Sequence, residues 1–178
     1  KLVCGAGNED AVEVEKLVAL YASAGARYFD LSAREDVVLA AKAGLERVIP
    51  KERIPEYCLN VSVGIKGDPH VSKAAIDAGL CTNCGACRDL CLQKAIQEGE
   101  TAHAVNSTRC IGCRACVAAC PAGAISTYSR TTPLEEVLPP LVRLGLDSIE
   151  LHAVSDDEEG IAAQWRSIEG KFDGMLSL

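Results

Sequence analysis

Short apolar runs alternate with longer amphipathic stretches towards both ends of the chain. Five runs have the length and composition of strands, and they span residues 1–5, 26–32, 57–65, 147–153 and 172–178. The stretches between them repeat their apolar residues at helical spacing. Strands that alternate with helices predict an α/β fold with a parallel sheet.

Capping residues mark where the helices should begin and end. Asn8 can cap a first helix that runs to about Ala24, and Gly25 then ends it. Ser32 and Glu35 have the spacing of a capping box for a second helix. Two later helices have start signals of the same kind, at Thr132, Pro133 and Glu135 and at Ser155 and Glu158.

The central runs carry apolar residues on one face and polar residues on the other. The polar positions are Tyr28, Asp30, Ser32, Asn60, Ser62, Gly64, Glu150 and His152. A doubly wound sheet has helices on both faces and needs apolar residues on both, whereas a barrel has a lumen. We therefore expect a partial (β/α) barrel-like parallel sheet, because five strands do not close a barrel of eight. The chain would then lack a C-terminal part, or the sheet is completed in another way.

A cysteine phrase interrupts this alternation and occurs twice. Cys81–Cys91 and Cys110–Cys120 both follow the spacing C-x2-C-x2-C-x3-C, at an offset of 29 residues. In bacterial-type ferredoxins, the first three thiolates of each phrase hold one cluster and the fourth ligates the other cluster. We therefore predict two [4Fe–4S] clusters. Their ligands are Cys81, Cys84, Cys87 and Cys120 for one, and Cys110, Cys113, Cys116 and Cys91 for the other.

Other uses of these cysteines fit less well. Zinc ribbons use two C-x2-C pairs and do not need a third cysteine at the same spacing. Disulfides do not easily join cysteines two residues apart, so metal ligation and a reducing compartment are favoured. One feature departs from the usual phrase: Leu92 follows Cys91 where Pro121 follows Cys120. This difference leaves the local turn geometry open.

Three polar residues are weak candidates for a catalytic or ligand-binding site. Asp30, Glu150 and His152 lie at strand ends on the lumen face, where a barrel builds active sites. A carboxylate beside a histidine can act in acid–base chemistry, but hydrogen-bonded structural pairs are equally consistent with the pattern. Cys4 is either a thiolate ligand or nucleophile or a small buried residue. His70 is a turn residue that can also hydrogen-bond near a cluster.

Composition excludes several classes of partner. The net charge is −7 without a cluster of basic residues, which argues against binding to nucleic acid or anionic lipid. The chain contains no apolar run long enough to span a membrane and no secretion signal, so we expect a cytoplasmic protein.

The order of these parts resembles the light-dependent period protein (LdpA) family of cyanobacteria and their relatives. The resemblance is carried by KLVCGAG at the start, DPH before the clusters, the paired ferredoxin phrase and GLDSIELH after it. It implies an iron–sulfur protein that reports cellular redox state and is tied to light input into the circadian clock. It also implies a photosynthetic cell, with the chloroplast stroma as the location in a eukaryote, and a longer C-terminal part in the family.

The predicted organisation has three parts. Residues 1–66 begin the barrel-like domain, 67–130 form a two-cluster ferredoxin insert, and 131–178 continue the barrel-like domain. The leading hypothesis is an electron-transfer or redox-sensing protein that docks on a protein redox or signalling partner within a larger complex. The alternative is an oxidoreductase, or its electron-transfer subunit, whose barrel mouth binds a substrate or organic cofactor. The sequence does not decide whether the protein is an enzyme.

Overall fold

The chain divides into two compact units. A computed structural model describes residues 2–4, 7–64, 71–130, 133–152 and 157–178. One unit comprises Lys1–Asp68 and Thr131–Leu178, and the other comprises Pro69–Arg130. In the described part of the chain, no helix is both long enough and apolar enough to cross a membrane.

The elements follow one another in the order that the apolar pattern predicts. The chain begins with β1 (Leu2–Val3), α1 (Ala11–Ser23), β2 (Tyr28–Ser32), α2 (Glu35–Val48), a 3-10 turn (Lys51–Glu56) and β3 (Cys58–Gly64). It continues with β4 (Ser72–Ile76), α3 (Ala86–Leu90), β5 (Ile96–Gln97), β6 (Ala104–Val105), α4 (Ala115–Ala119) and β7 (Ile125–Ser129). It ends with α5 (Leu134–Arg143), β8 (Ser148–His152), α6 (Glu158–Ile168) and β9 (Met175–Ser177).

The first unit is built on a five-stranded parallel sheet. The strands lie in the order β1-β2-β3-β8-β9, so strands that follow one another within this unit are neighbours in space. The predicted α/β fold with a parallel sheet is confirmed.

One face of this sheet packs on the helices. Its strand residues join one buried core, and they are Phe29, Leu31, Leu59, Val61, Val63, Ile149 and Leu151. Residues of α1, α2, α5 and α6 belong to the same core, among them Val18, Val38, Leu141 and Ile168. Burial of this apolar surface stabilises the unit, because each large side chain removed from water contributes about 1.5–3 kcal/mol.

The opposite face carries a buried network of polar side chains. Asp30 Oδ1 accepts hydrogen bonds from Asn60 Nδ2 at 2.7 Å and from Ser62 Oγ at 2.6 Å. Ser148 Oγ donates to Asn60 Oδ1 at 2.6 Å, and Tyr28 OH lies 3.2 Å from Ser148 Oγ. Asn60 and Ser148 are fully buried. These bonds satisfy polar groups whose burial would otherwise be costly, so the network is a structural feature of three neighbouring strands.

Two predicted helix caps are wrong. Asp10, and not Asn8, is the N-cap of α1: its Oδ1 accepts from the Glu13 N–H at 3.2 Å, while Asn8 Oδ1 accepts from the Asp10 N–H at 3.0 Å. The capping box of Ser32 and Glu35 does not form. Ser32 remains in β2, where its backbone pairs with β3, so α2 starts one turn later, without a side-chain cap.

The later helix starts are less completely described. Helix α5 begins after Pro133, and α6 is capped by Asp157, whose Oδ1 accepts from the Gly160 N–H at 2.9 Å. Thr132, Ser155 and His70 lie outside the described residues.

The second unit is small and built on the repeat. Strands β4 and β7 form one antiparallel ribbon, and β5 and β6 form a shorter one. Helices α3 and α4 start 29 residues apart, as do β5 and β7. The sequence repeat is therefore also a structural repeat.

We predict that Asp30→Ala destabilises the first unit by about 2–4 kcal/mol, because it leaves the buried donors of Asn60 and Ser62 without an acceptor. Trp165 is the single tryptophan and packs against the core of this unit, so its fluorescence during urea unfolding reports the loss. The control is Asp36→Ala, at a carboxylate that is half exposed and pairs with Arg34. Loss of a surface pair should cost about 1 kcal/mol or less. Equal effects of the two substitutions would contradict a structural role for the network.

Candidate metal centre

Four cysteines line a first cavity in the second unit. Three of them, Cys81, Cys84 and Cys87, come from the first phrase, and Cys120 comes from the second phrase. The cavity has a volume of about 310 Å³. Burial raises the pKa of the Cys87 thiol, and the charges of Cys120 and Cys81 raise it further. These effects place Cys87 close to both of the other thiols.

The other four cysteines of the repeat line a second cavity. Cys110, Cys113 and Cys116 come from the second phrase and Cys91 from the first, around a volume of about 440 Å³. The pKa of Cys116 is raised by burial first, and then by the charges of Cys110, Cys113 and Cys91. The structure therefore brings the eight cysteines together in the two sets of four that the spacing predicts.

Backbone amides donate to several of these sulfur atoms. The Ala124 N–H donates to Cys120 Sγ at 3.3 Å, and the equivalent Ala95 N–H donates to Cys91 Sγ at 3.4 Å. Such donors stabilise thiolates and tune iron–sulfur clusters. Each fourth cysteine is thus fixed in the same way.

Cys84 is exposed and electrostatically distinct. Its pKa is lowered, first by the Ala86 N–H and then by the Thr82 hydroxyl. Ile111 stands at the position of the second phrase that corresponds to Thr82. The hydroxyl donor is therefore a feature of the first cavity alone.

Six backbone positions around the cysteines adopt left-handed conformations in three pairs, each pair separated by 29 residues. The pairs are Asn83 with Gly112, Gly85 with Arg114, and Lys94 with Gly123, with φ between 49° and 83°. Each pair combines one glycine with one residue for which this conformation is costly. The turn geometry is therefore imposed by the repeat and not by glycine alone.

The missing proline after Cys91 does not alter the turn. Cys91 has φ −80° and ψ 98°, and Cys120 has φ −80° and ψ 108°. Leu92 is 93% exposed and makes little packing contribution. The departure from the usual phrase therefore leaves the backbone at the fourth cysteine unchanged.

Sequence reasoning missed two buried residues beside the cavities. His103 lines the first cavity, and its Nδ1 contacts Asn83 Oδ1. Lys73 is 1% exposed, and its Nζ donates to the carbonyl of Cys110 at 2.8 Å. An alignment of the repeat extended upstream of the cysteines places His103 opposite Ala74, and this mismatch is the signal that could have drawn attention to the histidine.

The candidate residues of the parallel sheet lie on its polar face. Asp30 is buried and accepts from Asn60 and Ser62, and Glu150 and His152 follow on β8, both half-buried. Glu150 pairs with Ser62 in the sheet register, and His152 pairs with Gly64. These positions share one face, but a catalytic role for them remains a prediction.

Cys4 behaves as a buried core residue. It is 6% exposed and belongs to the apolar core of the first unit. Burial, and then the charge of Asp30, raises the pKa of its thiol to about 12. A thiol with this pKa is protonated at neutral pH, so it is neither a thiolate ligand nor a nucleophile there.

The donor set of each cavity suits an iron–sulfur cluster. All ten cysteines are free, and eight of them form the two sets of four. Cluster iron is held by four thiolates, with amide donors to sulfur around them. No group of three or more His, Cys, Asp or Glu side chains among the described residues is placed to hold a single metal ion. When bound, a cluster supplies one-electron chemistry, and the thiols and amides hold and orient it.

Comparison with known proteins agrees with this donor set. Residues 73–124 match the family model of the 4Fe-4S dicluster domain. The chain is 32% identical over 174 residues to light dependent period A of Synechococcus elongatus, which covers 95% of this chain and 47% of the relative. The chain is a ferredoxin-type member of the light-dependent period family.

A second relative covers the cluster region. An uncharacterized ferredoxin of Methanocaldococcus jannaschii is 33% identical over 75 residues, which is 41% of this chain and 50% of that protein. The chain thus spans about half the length of the curated relatives it matches. The predicted family and the predicted [4Fe–4S] cofactor type are confirmed.

We predict that Gly123→Ala weakens retention of the centre, because an alanine in the left-handed conformation costs about 1–2 kcal/mol. A Cβ at Gly123 would have no neighbour within 4 Å, so the effect is conformational and not steric. The rate of loss of visible absorbance in urea measures it. Gly123→Asn should have a smaller effect, because asparagine tolerates this conformation. Lys94→Gly, at the equivalent position, should not accelerate the loss, and acceleration by both changes would contradict this account.

Proposed function

We propose that this member of the family binds two [4Fe–4S] clusters and transfers or reports single electrons. The observation that carries the proposal is the composition of the two cavities, each with three cysteines from one phrase and one from the other. This is the ligand exchange of bacterial-type two-cluster ferredoxins. Cys81, Cys84, Cys87 and Cys120 would hold the first cluster, and Cys91, Cys110, Cys113 and Cys116 the second.

Each cluster would have one ligand at the surface. Cys84 in the first set and Cys113 in the second are both exposed, and they are equivalent in the repeat. A cluster edge close to solvent permits an electron to enter or leave through a docked protein. We therefore propose a protein redox or signalling partner.

The three predicted parts fit the same proposal. The segment 67–130 would be the cluster-binding insert, and 1–66 with 131–178 would form a partial barrel. The sequential order of the strands and the helices on one face support a barrel segment, because right-handed crossovers that always advance in one direction place every helix on the same side.

A sensing role is the more specific form of the proposal. The name of the Synechococcus relative refers to a light-dependent period, and the similarity spans nearly this whole chain. We propose that the chain links photosynthetic redox state to a timing pathway through the oxidation state of its clusters. The buried and hydrogen-bonded Asp30 does not favour the alternative of a substrate site on the sheet.

We expect paired substitutions to separate the ligand sets. Cys87→Ala combined with Cys120→Ala removes two ligands from one proposed cluster and should leave about four irons per chain. Cys87→Ala combined with Cys91→Ala removes the same number of thiols, but one from each cluster, and should reduce bound iron well below that. Iron and sulfide analysis of anaerobically purified protein measures both. The opposite ranking would indicate that each phrase holds its own cluster.

An anaerobic redox titration followed by EPR tests the electron-transfer role. We expect about eight irons per chain and two interacting one-electron signals that are reversible. A midpoint close to the cellular redox poise would support sensing, and a midpoint well below it would support electron transfer. Clusters that are not reduced in the accessible range, or zinc in place of iron, would contradict both roles.

A further inference from the structure

His103 has a buried nitrogen atom that the protein leaves without a partner. The residue is 5% exposed, and its Nε2 atom has no hydrogen-bond partner among the described residues. Buried polar atoms are nearly always satisfied, and an exception indicates a group that is to be bound there. The ring lines the cavity of Cys81, Cys84, Cys87 and Cys120.

The other side of the ring fixes which nitrogen carries a proton. Asn83 Nδ2 donates to the carbonyl of Gly99 at 3.2 Å, which directs Oδ1 of the same side chain towards His103 Nδ1. An amide oxygen only accepts, so Nδ1 is the donor. Nε2 then donates when the ring is an imidazolium, and an anionic cluster with its thiolates stabilises that cation.

The second cavity lacks this group. The repeat offset of 29 residues places Ala74 opposite His103, and Ala74 lines the second cavity as His103 lines the first. The same offset relates Ile76 of the first cavity to Val105 of the second, which conserves apolar packing. The repeat is therefore broken at the one lining position where a hydrogen-bond donor stands.

We infer that His103 donates a hydrogen bond from Nε2 to a sulfur atom of the cluster in the first cavity and raises the reduction potential of that cluster. The inference rests on the proposed two-cluster function. Hydrogen bonds to the sulfur atoms and nearby positive charge both favour the added electron. Reduction takes one electron from an external donor and breaks no bond. His103 is thus a positioning and tuning residue, and its effect is confined to one of the two clusters.

The first test uses the unaltered protein. Chains labelled with nitrogen-15 in histidine are reduced with dithionite, and nitrogen and exchangeable-proton couplings to the cluster are measured by pulsed EPR. We expect a weak nitrogen coupling and one proton coupling that disappears in deuterated buffer. A strong nitrogen coupling would indicate direct ligation to iron, and absence of any histidine coupling would show that Nε2 is not bonded to the cluster. Either result overturns the inference.

The second test compares variants of matched size. His103→Phe keeps a ring in the cavity and removes the donor, whereas His103→Gln keeps an N–H donor. At the midpoint of the unaltered first cluster, the Phe variant should show an approximately tenfold lower ratio of reduced to oxidised cluster, which is about 59 mV for a one-electron couple. The Gln variant should shift less, and the other cluster should keep its potential in both.

Iron content separates the possible failures. About eight irons per chain with equal potentials in all three proteins would overturn the role of His103 and leave the two-cluster function standing. An unaltered chain that assembles no cluster would overturn the proposed function, and with it the role of His103. Equal shifts of both clusters would show a general change in packing and would also overturn the inference.

Discussion

Cluster geometry in the second unit depends on one constraint: the fourth cysteine of each phrase lines the cavity of the other phrase. The turns after α3 and α4 direct Cys91 and Cys120 away from their own phrases, with nearly equal backbone angles. Neither half of the repeat can therefore complete its donor set alone. The two ribbons and two short helices supply a small apolar core of their own. In a unit of this size, bound clusters would add to stability by tying the two halves together.

The same constraint explains why the repeat tolerates substitutions in some places and not in others. Left-handed turns recur at equivalent positions whether the residue is Lys94 or Gly123, because the position of the sulfur atoms depends on the backbone there. Outside the turns, the two cavities differ in polarity. Thr82 and His103 bring donors to the first cavity, where the second has Ile111 and Ala74, while Lys73 bonds the carbonyl of Cys110. Two cavities with one backbone can in this way hold centres of different electronic character.

The first unit follows a different constraint, the separation of its sheet into an apolar and a polar face. Phe29 and Leu31 pack on helices, whereas Asp30 between them points to the other face and is bonded to Asn60 and Ser62. Parallel register places Asp30, Asn60 and Ser148 side by side on three strands, so each polar group finds a partner on a neighbouring strand. Burial without such partners would be prohibitive, and this pairing makes a polar sheet face compatible with a stable domain.

The sequence alone determined the parts of this protein that depend on spacing. Period-two and helical patterns predicted the strands and helices because they reflect which side chains face a core, and the cysteine spacing predicted the two sets of four because the reach of a short turn is fixed. Tertiary structure decided the rest. Asp10 rather than Asn8 caps α1, and Ser32 stays in its strand, because sheet pairing competes with capping at the same residues. Cys4 is a core thiol because of what surrounds it, and His103 lines a cavity only because β6 brings a distant segment of chain beside the first phrase. Such neighbours are set by packing between segments far apart in sequence, and no local pattern encodes them.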